Sequence, residues 1–149
     1  MIKEFDLCPF RRKFWVSVNS SFKELQEKFM FDFKKLGYDE ITEPVFDKWN
    51  NKGLAFTIRV REKNSGCSGY IIITLESSNG LDKDDEEDFY HLITHEAGHV
   101  CDMLLDDINC ELIDTEIHSH ISGYVAGKLM LTWKNANYGK ENESQSVAE

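Results

Sequence analysis

Phe89-Tyr90-His91-Leu92-Ile93-Thr94-His95-Glu96-Ala97-Gly98-His99-Val100-Cys101-Asp102-Met103-Leu104 sets the architecture of this 149-residue chain. Phe89, Leu92, Ile93, Ala97, Val100, Met103 and Leu104 recur at three- and four-residue spacing, the apolar stripe of a helix that packs on a core. The acids of Asp84–Asp88 precede it, where negative charge suits the positive end of a helix dipole, so the helix should begin there. Inside it, His95-Glu96-Ala97-Gly98-His99 forms an H-E-x-x-H pattern. Four residues are about 400° of helix, so both imidazoles leave one face a turn apart, close enough to share a metal ion. Glu96 stands beside them as a general base rather than a ligand, able to activate water and later to pass the proton to a leaving amine. Neutral imidazole nitrogen suits Zn²⁺, whose catalytic sites use three protein ligands.

Working back toward the N-terminus, Tyr70-Ile71-Ile72-Ile73-Thr74-Leu75 is an almost wholly apolar strand. In Leu54–Glu62, Phe56, Ile58 and Val60 alternate with Thr57, Arg59 and Arg61, which predicts a half-buried strand. Turn-forming Lys63–Gly69 between them makes the pair an antiparallel hairpin. Residues 38–53 read as irregular, with Pro44 excluding a central strand. Ser21 and Glu24 match a capping box, and Phe22, Leu25, Phe29, Met30, Phe33 and Leu36 predict a packing helix stopped by Gly37. Phe14–Val18 is a short β-prone run.

Beyond Asn109-Cys110 a further helix should open near Asp114 or Thr115 and run to about Trp133. It offers three candidates for a third ligand, Glu116, His118 and His120. With Glu116 at zero, His120 falls at about 40°, Gly123 at about −20° and Gly127 at about 20°, while His118 falls at about 200°. Glu116, His120, Gly123 and Gly127 thus share a stripe, and the glycines predict close approach to the His95–His99 helix with its own Gly98. His118 is expected to be exposed. Residues 1–134 are read as a single α+β domain, and polar 135–149 as a disordered tail.

These residues resemble the zincin metallopeptidases, and more closely small phage-encoded zincin-like proteins. There an H-E-x-x-H helix ending in an acidic segment precedes a Glu-x-x-Ala-Tyr-x-x-Gly-aromatic helix. The corresponding stretches are His95–Ile108, with Asp106-Asp107-Ile108 at its end, and Glu116–Gly127. The likeness covers about residues 89–130 and extends weakly to Arg11–Val16. It implies a compact zincin-like domain, an H-E-x-x-H helix packed on the glycine-containing C-terminal helix, and Glu116 as third zinc ligand beside His95 and His99. Ser119-His120 stands where the pattern has Ala-Tyr, so His120 is either a polariser of the bound carbonyl or the ligand itself. The resemblance also implies a peptide substrate paired along one strand of the 54–75 hairpin. Asp102 is either support for a ligand's second ring nitrogen or an exposed acid, and Cys101 is expected in the core.

Charge narrows the partners. Residues 76–116 carry one base, Lys83, against 14 acids, and that segment accounts for the whole net charge of −10. Such a chain is a poor phosphate-backbone binder, and its field favours a basic peptide or protein substrate. No apolar run suits a membrane span, and Met1–Asp6 lacks a signal peptide's apolar core, so a cytoplasmic protein with four reduced cysteines is expected. Two functions are consistent with these residues: a zinc-dependent metallopeptidase, or a zincin-fold binding or inhibitor protein with a structural or absent metal.

Overall fold

Tyr70–Leu75 can be apolar at nearly every position because it is covered on both faces. In the computed structural model, which describes residues 1–31, 53–109 and 115–139, this run forms most of the central strand of a five-stranded sheet. The strands are β1 (Ile2–Asp6), β2 (Lys13–Val18), β3 (Phe29–Phe31), β4 (Ala55–Glu62) and β5 (Ser68–Thr74), in the order β1-β2-β5-β4-β3. β2 and β5 run parallel, and the other neighbours are antiparallel, including the expected β4–β5 hairpin. Four α-helices accompany them among the described residues: α1 (Phe22–Lys28), α2 (Leu81–Asp84), α3 (Glu86–Asp107) and α4 (Thr115–Tyr138).

The fold is therefore mixed α+β. One sheet face, built from Phe14, Val16, Tyr70 and Ile72, packs with Phe89 and Val100 of α3 and Leu129 and Trp133 of α4. The other face, with Trp15, Ile58, Ile71 and Ile73, is closed by Leu25 of α1 and by Phe29. Burying each of these large side chains contributes about 1.5–3 kcal/mol, so both layers are needed. At Gly69 a β-carbon would lie 1.9 Å from the Lys13 carbonyl oxygen, which leaves only glycine where β5 passes β2.

The Ser21–Glu24 capping box is present, but the helix it opens ends at Lys28 rather than Leu36. Phe29 turns extended and stacks edge-on against Trp15, with ring centroids 5.0 Å apart. Phe29–Phe31 then adds to β4 over Val60–Glu62. Strand-prone aromatic residues at a free edge outweigh a helical period. At the other end α4 continues five residues past Trp133 to Tyr138, whose hydroxyl donates to Asp82 of α2. Asn135–Tyr138, expected in a disordered tail, are thus helical, and residues 140–149 lie outside the described residues. So do residues 32–52, which hold the rest of the first expected helix and nearly all of the irregular segment, and so does Cys110. Cys8, Cys67 and Cys101 are free thiols. Among the described residues no helix is long and apolar enough to cross a membrane.

Candidate active site

α3 starts where the acids predict. The Asp85 side chain caps it, accepting from the Asp88 N–H at 3.1 Å. Its far end carries Asp106 and Asp107, the wrong sign for a helix C-terminus, and the sheet compensates. Arg59 of β4 donates through Nε to both Asp107 oxygens at 3.1 Å and through Nη2 to Asp106 at 3.1 Å. Tyr70 of β5 donates to Asp107 at 2.7 Å. Burial pushes the Asp107 carboxyl up, but these bonds and the Arg59 charge outweigh it and hold the group below the usual carboxylate range. Burial and the bond to Asp107 push the Tyr70 hydroxyl up. The helix is thus fixed over β4 and β5 by its own acidic end.

This anchoring settles where the H-E-x-x-H side chains go. His95 and His99 are exposed, with their Nε2 atoms 3.0 Å apart and their rings nearly perpendicular. Two Zn–N bonds of about 2.0–2.1 Å at a tetrahedral angle span about 3.3 Å, so the pair needs little adjustment to chelate one ion. Glu96 beside them reaches to the sheet and is only 5% exposed. Thr57 of β4 donates to its Oε2 at 2.5 Å. Glu96 and His95 also line a cleft of about 290 Å³ between α3 and the start of β4, walled by Leu54, Ala55 and Leu92 and by Asp88 and His91. The His91 ring stacks on His95 with centroids 5.8 Å apart.

The third-ligand candidates are not gathered here. Glu116 and His120 do share a face of α4, 3.8 Å apart, but their side chains are 83% and 81% exposed. His120 instead lines a separate cleft of about 360 Å³ with Cys8, Phe10 and Tyr124. Among the described residues no three His, Cys, Asp or Glu side chains are grouped to hold a metal. The α4 face turned to α3 is the opposite one. His118, expected to be exposed, bonds Asp102 of α3 at 3.1 Å through Nε2, and the Cys101 thiol donates to its carbonyl at 3.7 Å. Asp102 pairs with His118 rather than with His95 or His99 and is an exposed acid, one of its two expected places, and Cys101 is buried as expected. The glycine seam is likewise absent: a β-carbon at Gly98, Gly123 or Gly127 would meet nothing within 4 Å. On the helical wheel used above, Val125 and Leu129 fall at about 180° and 220°, around His118. Those two residues are fully buried, so the apolar positions were the better guide to the packed face.

Comparison with protein-family models, curated proteins and solved structures found no match.

Thr57, Arg59 and Tyr70 were not singled out in the sequence. The signal for Thr57 and Arg59 was the polar half of the β4 alternation, which turns toward α3 and its acids, while Phe56, Ile58 and Val60 take the other face. Tyr70, in the almost wholly apolar run of β5, gave none beyond its hydroxyl.

Proposed function

We propose that this chain is a zincin-like, zinc-dependent metallopeptidase. The observation that carries the reading is the convergence of the His95 and His99 Nε2 atoms at 3.0 Å beside a buried Glu96 that opens on a cleft. His95 and His99 would hold the zinc, which supplies a Lewis acid and a water of lowered pKa when bound. Glu96 takes a proton from the attacking water and returns it to the leaving amine. Thr57 fixes the carboxylate through Oε2 and leaves Oε1 for that exchange. An extended peptide suits the edge of β4. Its even-numbered residues bond β5, as Leu54 with Leu75 and Glu62 with Cys67 do, so the backbone groups of Ala55, Thr57 and Arg59 point away from β5. Among the described residues β3 pairs with β4 only as far as Val60, and β5, as a central strand, offers no edge.

The test is metal content and cleavage together. Purified protein should carry one zinc per chain, and the His95→Ala, His99→Ala double variant none. Glu96→Gln should keep the metal and lose cleavage of a broad peptide mixture. A wild type without stoichiometric zinc sinks the reading. Glu116→Ala and His120→Ala, on the α4 face turned away from α3, should each keep full zinc; loss of metal in either would put that residue in the ligand set.

The exposed position of Glu116 and His120 on the far face of α4 favours a second reading, a binding protein with a structural or absent metal. Cleavage that depends on Glu96 excludes it, because a structural site needs no general base.

A further inference from the structure

The cleft beside Glu96 has two unlike halves. Leu54, Ala55 and Leu92 give it an apolar wall, and Asp88 and His91 close the end nearer the start of α3. At about 290 Å³ it matches the small end of ligand pockets and suits one long side chain rather than a folded ligand. Among the described residues the charge at that end is uncompensated. The Asp88 backbone N–H is used by Asp85, but its carboxylate has no hydrogen bond or ion pair with any other described residue. Lys83, the one base in residues 76–116, sits over the Tyr138 ring at 4.3 Å. The first turn of α3 adds Glu86 and Glu87 to Asp85 and Asp88, far more negative charge than the half unit a helix dipole offsets.

We propose that this cleft is a specificity subsite for a lysine or arginine flanking the scissile bond. The inference rests on the peptidase reading above and adds to it the class of substrate. The methylene stem of such a residue lies along Leu54, Ala55 and Leu92, as amphipathic side chains do on apolar surface, and its charged head meets Asp88. His91, stacked on His95, supplies an aromatic wall on which a guanidinium can lie. Asp88 sits seven residues, about two helical turns, before His95, so the head group is held at a distance from the reacting bond.

The experiment uses the zinc-loaded full chain and a set of peptides identical except for Lys, Arg, norleucine or Glu at each position around the cleaved bond. Only cleavage that Glu96→Gln abolishes is counted. Lysine and arginine at one flanking position should raise kcat/KM about fivefold over norleucine, the size of one exposed ion pair. Asp88→Asn should remove that preference and Asp88→Lys should invert it toward Glu. In parallel, Nα-acetyl-lysine amide and Nα-acetyl-norleucine amide are titrated into the same protein without added zinc and followed by amide chemical shifts. The lysine amide should shift Asp88, His91 and Leu92, and do so in wild type but not in Asp88→Asn.

Glu96-dependent cleavage with no basic preference, or with a preference that Asp88→Asn leaves intact, overturns the subsite and leaves the peptidase standing. No Glu96-dependent cleavage together with selective lysine-amide shifts at Asp88 overturns the peptidase and supports the pocket. Neither cleavage nor selective shifts overturns both.

Discussion

Asp107→Asn tests whether the acidic end of α3 is what anchors that helix. The carboxylate accepts two bonds from Arg59 and one from Tyr70, and the Asp107 and Arg59 side chains are 14% and 19% exposed. Breaking a buried pair costs about 3–5 kcal/mol. Here Arg59 keeps Asp106, whose side chain is 72% exposed, so about 2–4 kcal/mol is expected. For a chain of this size that lowers Tm on the order of 10 °C. Urea unfolding followed by fluorescence of the buried Trp15 and Trp133 measures it directly.

The pH dependence is the sharper signature. Asp107 has a lowered pKa in the folded state, so its stabilisation is fully present above the unfolded carboxylate value of about 3.9. It is lost as pH falls through the folded value. The gap between wild type and Asp107→Asn should therefore be widest near neutrality and close on acidification below about pH 4. A gap under about 0.5 kcal/mol at pH 7, within the range of ordinary surface substitutions, or one that does not narrow in acid, refutes the anchoring role.

Thr57→Val should destabilise by about 1.5–3 kcal/mol, because a buried carboxylate loses its donor, and the cost should fall by more than half in a Glu96→Ala background. An unchanged cost in that background would dissociate the two side chains. Gly123→Ala and Gly127→Ala should each stabilise by about 0.5–1 kcal/mol, since both stand in a helix interior with open space around them. Loss of stability in either would restore the close-packed seam. Gly69→Ala should cost more than about 3 kcal/mol or abolish soluble expression, because its β-carbon meets the Lys13 backbone and the fully buried Trp15 ring. A well-folded Gly69→Ala protein with wild-type unfolding would remove the steric argument.

Much of the fold could be read locally. The α3 stripe, the β4–β5 hairpin and the Ser21 capping box rest on residues a few positions apart, and all three form. What could not be read depends on distant partners. The parallel pairing of Lys13–Val18 with Gly69–Thr74 and the strand at Ile2–Asp6 leave no short-range pattern. Phe29 has helical spacing, yet Trp15 and the β4 edge draw it out of the helix. At the site, His95 and His99 are neighbours by helical geometry alone. The expected place of Glu116 rested on which side of α4 meets α3. A helical wheel orders residues around one axis, but only the buried positions, Val125 and Leu129, tell which arc faces inward.

Thr57 joins two surfaces that are normally discussed apart. Its side chain grips Glu96, while its backbone N–H and C=O face the outer margin of β4. Anything laid along that margin pulls on the same residue that aims the carboxylate. On the peptidase proposal, occupancy of the margin and the setting of Glu96 lie in series, one residue apart. On that proposal a strand-mimicking blocker of β4 would act by turning the Glu96 carboxylate as well as by filling space, and its potency should depend on the hydroxyl at position 57.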